Sequence, residues 1–447
     1  VSAISPIRYP DQTSRPIMTK RAWWLVALNL LIPGSAQLLA GNRRLGKFGV
    51  SMTFLLWFLA IAALITYWVA PRIIFSLISN PIALTVAQVL LAGYAVLWVV
   101  LTLDTLRLVQ FIRTKPNARL FVALFAIIGL VATAGVAGYG ATVAGSARSA
   151  ITSIFDDGAY VEPSNGRYNI MLLGGDAGPD REGLRPDSIS LASVDAETGA
   201  TVMVGIPRNM EFIRFSDDSP LWGPFPDGYN CGDECLISYL YTYGEEHPEL
   251  YPDAAANGSS PGIEAMRDAV GGVLNLDVQF YALIDMEGFS QLIDSLGGVT
   301  INVPARTPIG PITAPEPFGY IEAGEQAMDG ATALWYARSR FDSNDFERMA
   351  RQRQVQEAML RQFTPANVLA RFEDVAAAGT QVVRSDIPSV MLGLFVDLAS
   401  KSRELPLVDL ELVPPEFNPA APDYAAIEAA LADAFVQSSN PPSPPPQ

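Results

Sequence analysis

The chain has 447 residues, half of them hydrophobic, and a net charge of -16. That length allows more than one domain, and the hydrophobic share is high for a wholly soluble protein. The charge is split: residues 1–119 hold twelve Lys and Arg against two acids, and the remainder holds 18 against 44. A basic apolar part followed by an acidic part fits a membrane region with cytoplasmic positive loops and an acidic domain on the other side. An acidic domain lacks the basic footprint that nucleic acid needs, so no nucleic-acid partner is expected.

Residues 1–21 are polar and basic, and are expected in the cytoplasm. The membrane region is expected over 22–144. Within it 49–70, 82–103 and 120–144 are each long and apolar enough to span a bilayer. Segment 22–41 is apolar but broken by Pro33, Gly34 and Ser35, which favours a re-entrant hairpin over a crossing. The basic residues Arg43, Arg44 and Lys47, and Arg107, Arg113, Lys115 and Arg119, place their loops inside. The expected topology is three spans with the N-terminus inside and the chain after 145 outside. Four spans with the N-terminus outside is the alternative.

Residues 145–166 read as a connector, and 167–436 as one domain. Compact apolar runs at Tyr168–Leu173, Ser188–Val194, Thr201–Ile206, Val278–Ile284 and Val299–Val303 read as strands. Gly262–Val273, Met286–Leu296 and 345–363 read as helices. Residues 215–260 are rich in Pro, Gly and Asp and read as loop. Residues 366–435 read as further helices and a strand at Val408–Val413. Residues 437–447 read as a disordered Pro- and Ser-rich tail. Strands alternating with helices predict an α/β fold with three α-β-α layers around a mixed sheet.

Cys231 and Cys235 are the only cysteines, and His247 is the only histidine. The cysteine pair is expected to form a small disulfide stapling a loop, which an extracytoplasmic location permits. A redox site is the alternative, although the spacing is not Cys-x-x-Cys. One histidine leaves little room for a zinc centre or a Ser-His-Asp hydrolase.

The segment Tyr336–Gln352 gathers Arg338, Arg340, Arg348 and Arg351 in otherwise acidic surroundings. On a strand, Arg338 and Arg340 would share a face. On a helix, Arg348 and Gln352 would share one, with Asp345 a turn earlier. Converging guanidinium groups suit phosphate or pyrophosphate, because they bind it by paired hydrogen bonds and stay charged. Surface ion pairs with Asp342, Asp345 and Glu347 are the plainer alternative. Three further spots end or begin strands: Gly174-Gly175-Asp176, Arg185-Pro186-Asp187-Ser188 and Ile206-Pro207-Arg208. Asp176 and Asp187 are candidate ligands for a hard cation that also bridges phosphates. Asp187 as a turn cap, and Arg208 paired with Glu211, are the plainer readings.

Together these motifs resemble the LytR-CpsA-Psr family, which attaches glycopolymers to peptidoglycan in Gram-positive envelopes. The resemblance is carried by Leu-Leu-Gly-Gly-Asp176, Arg185-Pro-Asp187-Ser188, Ile-Pro-Arg208 and Phe280-Tyr-Ala-Leu-Ile-Asp285-Met-Glu-Gly-Phe289. It continues through Leu292-Ile-Asp-Ser-Leu-Gly-Gly-Val-Thr-Ile-Asn-Val-Pro304, Gly324-Glu-Gln-Ala-Met-Asp-Gly330 and Tyr336-Ala-Arg-Ser-Arg340, then Asp345, Arg348, Arg351 and Gln352. It covers roughly residues 168–363.

The resemblance implies a membrane-anchored phosphotransferase. A polyprenyl-pyrophosphate-linked glycan would be the donor and a peptidoglycan hydroxyl the acceptor. Arg185, Arg208, Arg338, Arg340, Arg348 and Gln352 would hold the pyrophosphate. Asp176 and Asp187 would hold Mg²⁺, with Mn²⁺ as a substitute. Arg338, Arg340, Asp345 and Arg348 would form the catalytic set, with Asp345 orienting an arginine or helping to deprotonate the acceptor. The sequence departs from the family pattern at Asn209, where Asp is usual, and at Leu236-Ile-Ser238, where Lys-Ile-Asn is usual. Those departures keep two alternatives open: a non-catalytic holder or scaffold for lipid-linked glycans, and a pyrophosphatase using water as acceptor. The multi-span N-terminus also differs from the single anchor usual in the family.

Overall fold

The computed structural model describes residues 7–78, 80–155, 158–176, 185–311, 313–341, 343–362 and 383–440. The chain divides into two compact units, Val1–Arg148 and Ser149–Gln447.

The first unit is helical. It holds α1 (Arg15–Leu31), α2 (Ser35–Ala40), α3 (Arg43–Val69), α4 (Pro71–Ile78), α5 (Pro81–Val109) and most of α6 (Pro116–Ile154). Three stretches, Arg43–Val69, Pro81–Arg113 and Pro116–Thr152, are long and apolar enough to cross a membrane. Segment 22–41 is a hairpin. Near its start, the Arg21 guanidinium donates to the Leu108 carbonyl at 2.8 Å. Further along, Asn29 donates to Thr102 Oγ1 at 3.3 Å. After the turn, Gln37 donates to the Leu101 carbonyl at 2.8 Å and to Thr105 Oγ1 at 2.9 Å. Gly41 then packs back on Leu108. Both ends of the hairpin therefore lie at the same end of α5. Gly34 makes the turn possible: its φ of 93° suits glycine, and a side chain there would strike the backbone of Gly46 and Val50.

The second unit is built on a six-stranded mixed sheet in the order β10-β3-β2-β1-β4-β9. Its strands are β1 (Arg167–Asp176), β2 (Arg185–Asp195), β3 (Thr201–Ile206), β4 (Phe280–Asp285), β9 (Val383–Ser385) and β10 (Val408–Glu411). The pairs β1/β2, β2/β3 and β4/β9 are antiparallel, whereas β1/β4 and β3/β10 are parallel. Side chains alternate across the sheet. Met171, Leu173, Leu191, Val204 and Leu283 belong to the main core, together with residues of α8 (Pro261–Leu274) and α13 (Tyr424–Ser439). Tyr168 and Phe280 pack with Leu398 of α12 (Leu392–Ser402). A second small core joins α9 (Met286–Leu296), α10 (Gly330–Arg338) and α11 (Asp345–Gln362) to the hairpin of β5 (Val299–Val303) and β8 (Gly324–Met328). Two short strands, β6 (Thr307–Ile309) and β7 (Gly319–Ile321), pair beside it.

The α/β expectation holds, with particular differences. The 215–260 loop contains a helix, α7 (Leu240–Glu246). Cys231 and Cys235 form a disulfide. Helix α13 continues to Ser439, into the segment expected to be disordered. Its Asp423 side chain caps the Ala426 amide, and apolar residues Ile427, Leu431 and Ala434 recur at helical spacing, so composition alone misplaced the boundary. Residues 363–382 and 441–447, which the sequence reading also covered, lie outside the described residues.

Leu191 sits at the centre of the main core with no exposed surface. Leu191→Ala should lower the unfolding free energy of the second unit by about 2–5 kcal/mol. Leu172 lies on the opposite face of β1 and borders an open cavity, so Leu172→Ala should cost well under half as much. Denaturant unfolding of the two variants checks the contrast.

Candidate anion site and apolar cavity

Strands β1 and β2 set up the site with an irregular register. Gly174 pairs with Ser188, and Gly175 with Pro186, so Asp187 is an extra residue bulged out of the ladder. A bulge re-aims its side chain. Here the Asp187 carboxylate accepts a short hydrogen bond from Arg208, just beyond the end of β3. The parallel partner β4 ends at Asp285, which caps the first turn of α9 by accepting from the Gly288 amide at 2.8 Å. The ends of these strands and the helices α9–α11 enclose a cavity of about 550 Å³. Most of its wall is apolar, including Leu172, Ile284, Phe289, Trp335 and Met359. Asp187, Arg208, Arg338, Arg340, Arg348 and Gln352 also line it.

Asp345 gathers the arginines. Its Oδ2 accepts from Arg208 Nε at 3.2 Å and from Arg348 at 2.9 Å, and its Oδ1 accepts from Arg340 at 3.2 Å. Arg348 also donates to the Asp187 backbone carbonyl at 3.1 Å. The Arg348 side chain is only 5% exposed, and its Nε is buried without a hydrogen-bond partner. A buried donor left unpaired costs about 1–3 kcal/mol, which an incoming anion would recover. Arg208, Arg340 and Arg348 thus share the Asp345 carboxylate at this end of the cavity.

Burial lowers the Arg208 pKa, but Asp187 and Asp345 outweigh it, and the guanidinium ends above its ordinary value. Burial dominates at Arg348, which ends below its ordinary value despite the pull of Asp345. Both stay charged, because arginine starts so high.

The structure decides between the helix and the strand that spacing left open for the segment leading into Arg338 and Arg340: it is a helix. Arg338 is the last residue of α10, and Arg340 lies in the turn that follows. Arg351 fixes that turn. Its guanidinium donates to the Tyr336 carbonyl at 3.0 Å, to the Ser339 carbonyl in a short bond, and to Ser343 Oγ at 2.9 Å. Arg351 therefore closes the C-terminal end of α10 instead of facing the cavity. Arg208 pairs with Asp187 and Asp345, not with Glu211. Arg185 is not among the cavity-lining residues: its guanidinium lies over the Tyr239 ring, 4.8 Å from the centroid. Asp342 and the side chain of Asp176 lie outside the described residues. His247 pairs with Glu249 at 3.0 Å and takes no part in the cavity wall.

Several cavity residues escaped the sequence reading. Gln356 continues the Arg348–Gln352 row by another four residues, a signal that was present in the spacing. Trp335 and Met359 carried no signal, since an apolar wall and an apolar core look alike in a chain; Phe289 stood in a family-like motif but without an assigned role.

Residues 140–411 match the model of the LytR_cpsA_psr family. The chain belongs to this family. It is 25% identical over 276 residues to the polyisoprenyl-teichoic acid–peptidoglycan teichoic acid transferase TagU of Bacillus licheniformis, covering 59% of this chain and 76% of that protein. It is 24% identical over 227 residues to the biofilm regulatory protein A of Streptococcus mutans, of which it spans half the length. Among solved structures, the chain resembles Bacillus subtilis TagV with a TM-score of 0.45 and 21% identity, over 62% of this chain and all of that one. It resembles TagT bound to LIIa-WTA with a TM-score of 0.44 and 17% identity, over 63% of this chain and 94% of that one.

Arg351→Ala should strand the Tyr336 and Ser339 carbonyls at the end of α10. The expected loss is about 1–3 kcal/mol of stability. A severalfold weaker affinity for inorganic pyrophosphate should accompany it, because the turn carrying Arg340 loosens. Thermal unfolding and calorimetric titration check the two effects separately.

Proposed function

We propose that this protein is a membrane-anchored phosphotransferase. It moves a glycopolymer phosphate from a polyprenyl-pyrophosphate carrier to a peptidoglycan hydroxyl, making a phosphodiester link. The observation that carries the reading is a single cavity with an apolar wall and a cluster of arginines at one end. A lipid tail and a pyrophosphate together match that division, and neither alone does. The transferase names of relatives such as TagU point the same way.

In this reading Arg208, Arg338, Arg340 and Arg348, with Gln352, bind the two phosphates and hold the phosphorus nearest the glycan in line with the acceptor hydroxyl. That hydroxyl oxygen attacks the phosphorus, the bridging P–O bond breaks, and polyprenyl phosphate leaves. The hydroxyl proton is released to water. Charge develops on the phosphate oxygens, where fixed guanidinium groups stabilise it without reorganising. Both oxygens of Asp345 already accept from arginines, which supports an orienting role over that of a base.

Among the described residues no group of three or more His, Cys, Asp or Glu side chains is placed to hold a metal ion. Mg²⁺, or Mn²⁺ in its place, needs few protein ligands, being commonly held by one or two carboxylates plus substrate phosphates; Asp187 is such a carboxylate, with one oxygen bonded to Arg208. Asp187, which lines the cavity, and Asp176 at the end of β1 are the residues that would hold it. When bound, the ion would neutralise phosphate charge.

The departure at Leu236 favours a second reading, a holder of lipid-linked glycan that does not turn it over. The segment bearing it lies beside the anion site, since the Ser238 amide donates to the Arg208 carbonyl at 3.3 Å. No cation stands at position 236.

The full chain in detergent, given a short polyprenyl-pyrophosphate sugar, Mg²⁺ and a peptidoglycan fragment, should yield a phosphate-linked product detectable by mass. Chelation should abolish the product and added Mg²⁺ should restore it. Arg340→Ala should slow turnover by about 100- to 1000-fold, the loss typical of removing one donor to a developing oxyanion. Tight lipid binding without product would favour the holder.

The proposed placement is the membrane of a Gram-positive-type envelope, with the N-terminus inside and the second unit outside. Among the described residues no cysteine is free, so an added thiol reports cleanly. A membrane-impermeant maleimide should label Glu162→Cys but not Thr13→Cys in intact cells. Labelling at position 13 would refute this topology.

A further inference from the structure

Helix α11 sends arginines in three directions. Arg348 faces the cavity and Arg351 closes α10. Arg353 turns toward the sheet, and it is not part of the cavity wall. One residue along a helix is a rotation of about 100°, so Arg353 leaves the helix well away from Gln352. Its side chain is 7% exposed and meets two carboxylates of β10, Glu411 at 2.9 Å and Asp409 at 3.3 Å. Both contacts are made by its Nε, while Nη1 donates to Gln356 Oε1 at 2.7 Å, and Gln356 Nε2 reaches Ser190 Oγ on β2 at 3.4 Å.

Glu411 lies across β3. Its register partner is Gly205, and a side chain at 205 would collide with the Glu411 carboxylate. Three residues beyond Gly205 stands Arg208. The Arg353 fork thus ties together α11, which carries Arg348 and Gln352, and the strand that leads into Arg208. Burial pushes the Asp409 and Glu411 carboxyls above their ordinary values, and Arg353 is the first group acting against it in each case. A lysine offers a compact point charge without the planar guanidinium, which here meets the carboxylates through Nε and Gln356 through Nη1 in one fixed geometry.

We infer that Arg353, held by Asp409 and Glu411, is a positioning residue that sets the rotation of α11 against β3, and so the spacing of Arg348 and Gln352 from Arg208. This inference rests on the pyrophosphate reading of the cavity. Substrate specificity and rate would then depend on a buried ion cluster that never touches the ligand.

The test uses the full chain in detergent and geranylgeranyl pyrophosphate as the probe, titrated calorimetrically, with unfolding followed in parallel. Arg353→Met should weaken binding by about tenfold at temperatures where the variant is fully folded, and Arg353→Lys should not restore it. Combining Arg353→Met with Gln352→Ala should cost little more than either change alone, because residues acting as one unit are non-additive. Glu411→Gln is isosteric and removes one charge from the cluster, so it serves if Arg353→Met does not fold; its expected loss is severalfold. Wild-type affinity in folded Arg353→Met or in Glu411→Gln would overturn the inference, as would strictly additive losses. Absence of binding by the wild type would overturn the pyrophosphate reading and the inference with it, a result distinct from the variant-only outcomes.

Discussion

One carboxylate organises the site. Asp345 opens α11 and accepts hydrogen bonds from its near neighbours Arg340 and Arg348 and from the distant Arg208, just beyond β3. Without that shared anion, three guanidinium groups at such close quarters would repel one another. With it they converge, yet one donor of Arg348 stays buried and unmatched. In the proposed reading, guanidinium groups held this way are already in place for a phosphate before it arrives. Preorganisation of this kind is what lets fixed charges act on a transition state without first rearranging.

The scaffold exists to hold that cluster at the end of an apolar cavity. The bulge at Asp187 needs the close approach of Gly174 to Ser188, where a side chain on the glycine would leave little room. The Arg351 fork turns the end of α10 so that Arg340 faces Asp345. The main core of the second unit, on the opposite face of the sheet, is closely packed by α8 and α13 and supplies rigidity. The face bearing the cavity is less filled, so binding space and stability are assigned to different sides of one sheet.

The first unit solves a separate problem. Buried Asn29 and Gln37 would be costly among apolar helices unless paired, and each finds a partner on α5. Those bonds fold segment 22–41 back on itself, so both of its ends stand at the same end of α5. The charge pattern of the basic loops and this hairpin are independent features of the chain, and they are mutually compatible.

Much of this was written in local sequence. Helix positions followed from periodicity, as at Met286–Leu296, where burial on one face leaves a repeating mark, and Thr201–Ile206 followed from an unbroken apolar run buried on both faces. The arginines, Gln352 and Asp187 were legible as a set, through a family resemblance that spacing alone does not supply. Spacing left Arg338 and Arg340 open between strand and helix, because their geometry depends on Arg351 from the next helix. Local spacing shows that Asp345 can meet Arg340 and Arg348, but not that Arg208 would join them, that Arg185 would turn to Tyr239, or that Arg353 would reach β10. Those choices pair groups far apart in sequence, and only the packed structure brings them within hydrogen-bonding distance. The chain by itself determined which chemistry was present; tertiary structure decided which groups meet.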